Sequence, residues 1–101
     1  MYKYCSFLFF AFGCASEKAN SIAEMEGDAV AGATLYATHC QACHGEDGAS
    51  GSVQKDIVED LSYGDAHVIQ AILYGEDSMP AFENTLSEQE IADIVAYLHT
   101  L

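Results

Sequence analysis

The run Cys40-Gln41-Ala42-Cys43-His44 restricts this chain more than any other stretch of it. Two cysteines separated by two residues, with a histidine directly after the second, form the attachment pattern of a c-type haem. Each thiol adds across one of the two vinyl groups on a porphyrin edge, and the next residue brings an imidazole nitrogen to the iron. The thioether bonds are covalent, so the redox centre is retained without depending on haem affinity. Other uses of Cys-x-x-Cys fit less well. A thioredoxin-like pair needs a βαβ setting, which the sequence lacks. A four-ligand zinc site needs a second cysteine or histidine pair at short spacing, whereas His39, His67 and His99 are single and scattered.

Gly75-Glu76-Asp77-Ser78-Met79-Pro80-Ala81-Phe82 is the second chemical signal. A thioether sulfur is a soft ligand suited to haem iron, and a His/Met pair raises the reduction potential relative to a bis-His site. Pro80 fixes its own φ and restricts Met79 to an extended conformation, which helps hold a loop ligand in place. Met79 is therefore the expected partner of His44 on the metal. Its rivals are His67 on a helix, His99 in a last helical turn, and His39, which abuts the attachment site and is poorly placed to reach the opposite face.

The N-terminus reads as an export signal. One basic residue, Lys3, precedes an aromatic-rich apolar run, and Gly13, Cys14 and Ala15 are small. The run is far shorter than the ~20 residues needed to span a bilayer. Two cleavage readings compete. Ala11-Phe12-Gly13-Cys14 resembles a bacterial lipobox, with residues 1–13 removed and Cys14 lipidated, although Ala11 stands where a leucine is usual. The other reading is ordinary cleavage after Ala15. The Gly-Cys pair favours the first.

Charge narrows the partners. The whole chain carries −13, and all 16 acidic residues lie beyond position 13, where Lys18 and Lys55 are the only bases. Such a surface disfavours nucleic acid and anionic lipid, and favours a partner with a basic docking patch.

Residues 14–27 are polar and acidic with few large apolar groups, and read as a tether, within which a helical stretch stays open. From Asp28 to Leu101 three helices are expected. The first spans about Asp28 to Thr38. A glycine-dense loop, Gly45 to Gly51, cannot be regular structure. The second helix spans about Tyr63 to Tyr74, with Ser62 and Asp65 as a capping box and Gly75 as a stop. The third is capped by Ser87 with Glu90, and Ile91, Ile94, Val95, Leu98 and Leu101 follow helical spacing. No strand pattern appears, so the fold class is all-α. Three short helices make a small core, and a buried haem supplies the missing apolar volume.

Gly32 and Tyr36, Cys40-x-x-Cys43-His44-Gly45, Met79-Pro80-Ala81-Phe82 and Ile94-Val95-Ala96-Tyr97-Leu98 together resemble a short bacterial class I cytochrome c over residues 28–101. The resemblance implies a small cytochrome c fold, with three main helices wrapped around one haem c held through Cys40 and Cys43 and ligated by His44 and Met79. It also implies export, since covalent attachment in bacteria happens outside the cytoplasm. In that family Gly32 would let the first and last helices cross against Tyr97. Such proteins commonly carry a proline after the haem histidine, whose carbonyl accepts from the other imidazole nitrogen. Pro80 is the only proline here, so a carbonyl within Gly51 to Val53 is expected to take that role.

The leading function is one-electron carriage in a periplasmic or membrane-associated chain, by a monomer whose partners are redox proteins. Both axial positions would be filled, which argues against an enzyme. The alternatives are a haem enzyme or sensor with a labile Met79, and a haem subunit of a larger oxidoreductase.

Overall fold

The computed structural model describes residues 15–101. The export signal and the lipidation reading at Cys14 lie outside the described residues. Six α-helices follow in order: α1 Glu17–Ala23, α2 Ala29–His39, α3 Gln41–His44, α4 Ile57–Asp60, α5 Asp65–Tyr74 and α6 Glu88–Leu98, with a 3-10 turn at Leu61–Tyr63 before α5. No strand is present among the described residues, so the all-α expectation holds.

Helices α2 and α6 form the central crossing. Asp28 caps α2 by accepting from the Val30 and Ala31 amides, and Ser87 with Glu90 forms the expected capping box on α6. At the crossing, a Cβ on Gly32 would fall inside the van der Waals envelope of the Asp93 carbonyl, and one on Gly27 would meet the Ala92 carbonyl in the same way. Glycine has no side chain to hold the two backbones apart. The rings of Tyr36 and Tyr97 lie 5.4 Å apart beside this contact. The Asp93 carboxylate is buried there, and accepts from the Asp28 amide at 2.8 Å and from the Gln89 side-chain amide at 3.0 Å.

The tether reading of residues 14–27 is corrected. Ser16 caps a helix whose Ala19 and Ile22 are fully buried, and its own amide donates to Gln70 Oε1 on α5 at 2.9 Å. Lys18 pairs with Glu83 at 3.1 Å. Ala19 and Ile22 are one turn apart, so two apolar residues share a face even in a polar stretch. The packed domain thus includes α1. Ile22→Ala is expected to cost about 2–5 kcal/mol in denaturant unfolding of the haem-loaded protein, as deletions in other cores do; a mere tether would give no change.

The start of the second predicted helix also differs. Gly64, at φ +107°, begins α5 without a side-chain cap, and Ser62 belongs to the 3-10 turn. The Ser62–Asp65 capping box is not formed. Asp65 instead pairs with His99 at 2.8 Å, joining the start of α5 to the end of α6. Leu101 lies beyond α6 and is exposed, contrary to its expected place on the apolar face. The most deeply buried side chains of α5 and α6 are Ile69 and Leu73 from α5 with Ile91, Ile94 and Leu98 from α6, and Tyr36, Val68, Ile72, Leu86, Ala92 and Val95 complete the core around them.

Candidate haem site

Cys40, Cys43 and His44 stand at positions i, i+3 and i+4, which share one face of a helical turn. The structure builds that turn. The Cys40 amide ends α2 on the Tyr36 carbonyl at 2.8 Å, and the His44 amide donates to the Cys40 carbonyl at 3.0 Å. The Tyr36 hydroxyl donates to the Gly45 carbonyl at 2.6 Å, fastening the far end of the turn to α2. Burial pushes this hydroxyl up to about 12, so it stays a donor throughout the physiological range. The Gly51–Val53 segment lies directly under the turn, and the Val53 amide donates to the Cys43 carbonyl at 3.2 Å.

Met79 arrives from a separate segment, and its position is secured at both ends. Glu76 and Met79 exchange backbone hydrogen bonds of 3.2 and 2.8 Å across a tight turn, with Asp77 in the left-handed region at φ +54°. Gly75 precedes them at φ +80°, where a Cβ would stand 2.6 Å from the Met79 carbonyl oxygen. A larger residue there is strained twice, by its φ and by the contact. Past the methionine, the Phe82 and Glu83 amides donate to the Ile72 and Leu73 carbonyls near the end of α5. These bonds satisfy carbonyls that a helix end leaves open, so the loop is strapped back onto α5.

Cys40, Cys43, His44 and Met79 all line one cavity of about 230 Å³. Its apolar wall comes from Tyr36, Val68, Ala71, Ile72, Phe82, Ile94 and Leu98. His39, edge-on to Phe82, and the exposed His67, packed against Tyr63, line it too, whereas His99 is engaged with Asp65 elsewhere. Lys55 and Asp60 are cavity residues that the sequence did not signal, and Tyr36, marked there only by the family resemblance, lines the cavity as well. Only topology reveals them.

The expected acceptor for the second imidazole nitrogen is not found. His44 Nδ1 is buried with no hydrogen-bond partner, and the polar group that the Gly51–Val53 segment offers the attachment turn is a donor, the Val53 amide, bonded to the Cys43 carbonyl. Burial, helped by the charge of Lys55 and opposed by Asp60, holds the imidazole below its ordinary pKa and so favours the neutral, metal-binding form. Burial also pushes the Cys40 thiol up to about 11, while Cys43 is exposed. An imidazole held in its neutral form and a thioether on one apolar cavity, with two thiols on the turn beside it, fit a haem. Among the described residues no group of three or more His, Cys, Asp or Glu side chains forms another metal site, and no helix is long and apolar enough to cross a membrane.

A family profile described as cytochrome c oxidase, cbb3-type, subunit III matches residues 27–98. The chain is 30% identical over 81 residues to cytochrome c6 of Thermosynechococcus vestitus, covering 75% of this chain and 72% of the relative. It is 33% identical over 81 residues to cytochrome c6 of Limnospira maxima, covering 71% and 91%. The cytochrome c6 of Chlorolobion braunii is 33% identical over 82 residues, covering 73% and 91%. No solved structure matches significantly. The profile leaves α1 outside and takes in everything that lines the cavity. On that ground the chain belongs to this family and is a small class I c-type cytochrome, an electron carrier with a covalently bound haem c.

Proposed function

We propose that Cys40 and Cys43 hold the haem, that His44 and Met79 are its axial ligands, and that the protein carries single electrons in a chain outside the cytoplasm. The observation that carries this reading is the convergence of two distant segments, 40–44 and 75–83, on one apolar cavity. When bound, haem c supplies an iron that cycles between Fe(III) and Fe(II). The Cys40 and Cys43 thiols would hold the group covalently as thioethers. The neutral imidazole of His44 and the strapped Met79 would be the ligands of its iron, which would leave no position for a substrate. The apolar wall keeps water from the ligands.

The export-like N-terminus supports a periplasmic location, and the Gly13-Cys14 pair supports lipidation. The protein then presents its acidic surface, as a monomer, to redox partners with a basic docking patch, and association should weaken with salt.

The test is ligand access to the iron in the haem-loaded protein. The wild type is expected to resist carbon monoxide when reduced, and Met79→Ala to bind it readily with loss of the His/Met absorption signature. Ready binding by the wild type would overturn the carrier reading in favour of gas binding. The family description favours a second reading, a haem subunit of a larger oxidoreductase. Co-purification of the tagged full chain with other oxidase subunits at fixed stoichiometry would select it.

A further inference from the structure

Helix α1 lies outside the family profile, which begins at residue 27, yet it makes polar contacts to α5 and to the segment that leaves Met79. The Ser16 amide at its start donates to Gln70 Oε1 on α5 at 2.9 Å. Two residues on, the Lys18 ammonium donates to Glu83 Oε2 at 3.1 Å, across 65 residues of sequence. That bond raises the pKa of Lys18 above the ordinary lysine value, so the ammonium stays charged. Beyond position 13 only Lys18 and Lys55 are basic, against 16 carboxylates. Lys55 stands 3.7 Å from Asp60, so Glu83 receives the closer of the two ion pairs.

Glu83 is where the strap beyond Met79 ends. Its amide donates to the Leu73 carbonyl at 3.1 Å, and the Phe82 amide donates to the Ile72 carbonyl at 2.9 Å. The Thr85 and Leu86 amides turn back onto the Phe82 carbonyl at 3.0 and 2.9 Å, with Leu86 buried. Gln70, Ile72 and Leu73 lie within one turn of α5. The start of α1 and the outgoing arm of the Met79 segment are therefore fastened to the same turn, and Lys18 joins them to each other. The buried Ala19 and Ile22 keep α1 in place beside it.

We infer that Lys18 is a positioning residue for the methionine ligand: through Glu83 it clasps the outgoing arm of the Met79 segment to α1, and so slows the departure of the sulfur. This deepens the electron-carrier reading and rests on Met79 being an axial ligand. A thioether carries no charge, so its hold on a metal depends on how firmly the chain around it is kept. The incoming arm is tied by the Glu76–Met79 turn. On the outgoing arm Pro80 has no amide hydrogen to donate, which leaves the Phe82–Glu83 strap and its clasp to restrain it. The Lys18 and Glu83 side chains are 34% and 36% exposed, so the clasp has the strength of a partly screened ion pair.

The test uses the exported, haem-loaded full chain with three readouts: the His/Met absorption signature, the rate at which the ferric iron takes up imidazole at saturating concentration, and amide hydrogen exchange at Phe82 and Glu83. The limiting uptake rate reports how fast Met79 leaves. Lys18→Gln and Glu83→Gln are each expected to raise that rate about two- to fivefold and to speed exchange at both amides. The double variant should do no more than either single one, and the reversed pair, Lys18→Glu with Glu83→Lys, should bring both readouts back toward the wild type. Glu17→Gln, exposed on the same helix, should move neither. A lower urea midpoint in Lys18→Gln with the limiting rate and both exchange rates unmoved would make Lys18 merely structural and overturn the inference. Additive effects in the double variant would overturn it too. If Lys18→Gln fails to load haem, Glu83→Gln makes the same comparison. A wild type without the His/Met signature would sink the axial assignment and the inference with it, whereas unmoved variants of a wild type that shows the signature would sink the inference alone.

Discussion

A chain that cannot attach haem, Cys40→Ser with Cys43→Ser, is expected to lose cooperative folding altogether. The cavity supplies the reason. Tyr36, Val68, Ile72, Ile94 and Leu98 belong to the buried core and also line the cavity of about 230 Å³, so one side of the core packs on nothing from the protein itself. Core side chains left without packing partners cost stability, and a small domain has only about 0.05–0.15 kcal/mol of stability per residue to lose. Circular dichroism and urea titration of the double variant should show little fixed helix and no sharp transition. A native-like, cooperatively melting variant would show that the helices pack sufficiently without the cofactor.

Gly32→Val should be nearly as damaging, with holoprotein yield falling sharply and stability dropping by about 3 kcal/mol or more. The new Cβ would lie in the Asp93 carbonyl oxygen, a backbone atom of α6 that cannot rotate away. Relief requires α2 and α6 to separate. That would part the Tyr36–Tyr97 contact and the Asp28–Asp93 hydrogen bond. It would also disturb the site, since α2 runs directly into the attachment turn and Tyr36 holds Gly45. Val30→Ala is the matched control. Val30 is 81% exposed on the same helix, and its loss should change stability by less than about 0.5 kcal/mol. Comparable melting of both variants would mean that the crossing is not tightly packed.

The success of the sequence reading followed the range of the interactions involved. Ser87 and Glu90 cap α6 because both partners lie within one turn of the same chain segment. The Ser62–Asp65 pair has the same local pattern but fails, since Asp65 is drawn to His99, 34 residues away. Residues 14–27 read as a tether when composition is averaged. The burial of Ala19 and Ile22 rests on α1 meeting α5 and α6, contacts that composition does not encode. Lys55 was visible only as charge, and the chain path past Gly48 and Cys43 turned it into part of the cavity.

By itself, the sequence determined the cofactor chemistry and the helical class. Cys40, Cys43 and His44 lie within one turn, and Met79 is marked by the Gly75 and Pro80 around it. Tertiary structure decided what surrounds them: α1 as part of the core, His44 Nδ1 buried without an acceptor, and Lys55 at the cavity. Covalent attachment and capping depend on neighbours a turn away, whereas burial and partnering depend on residues that only the folded chain brings close.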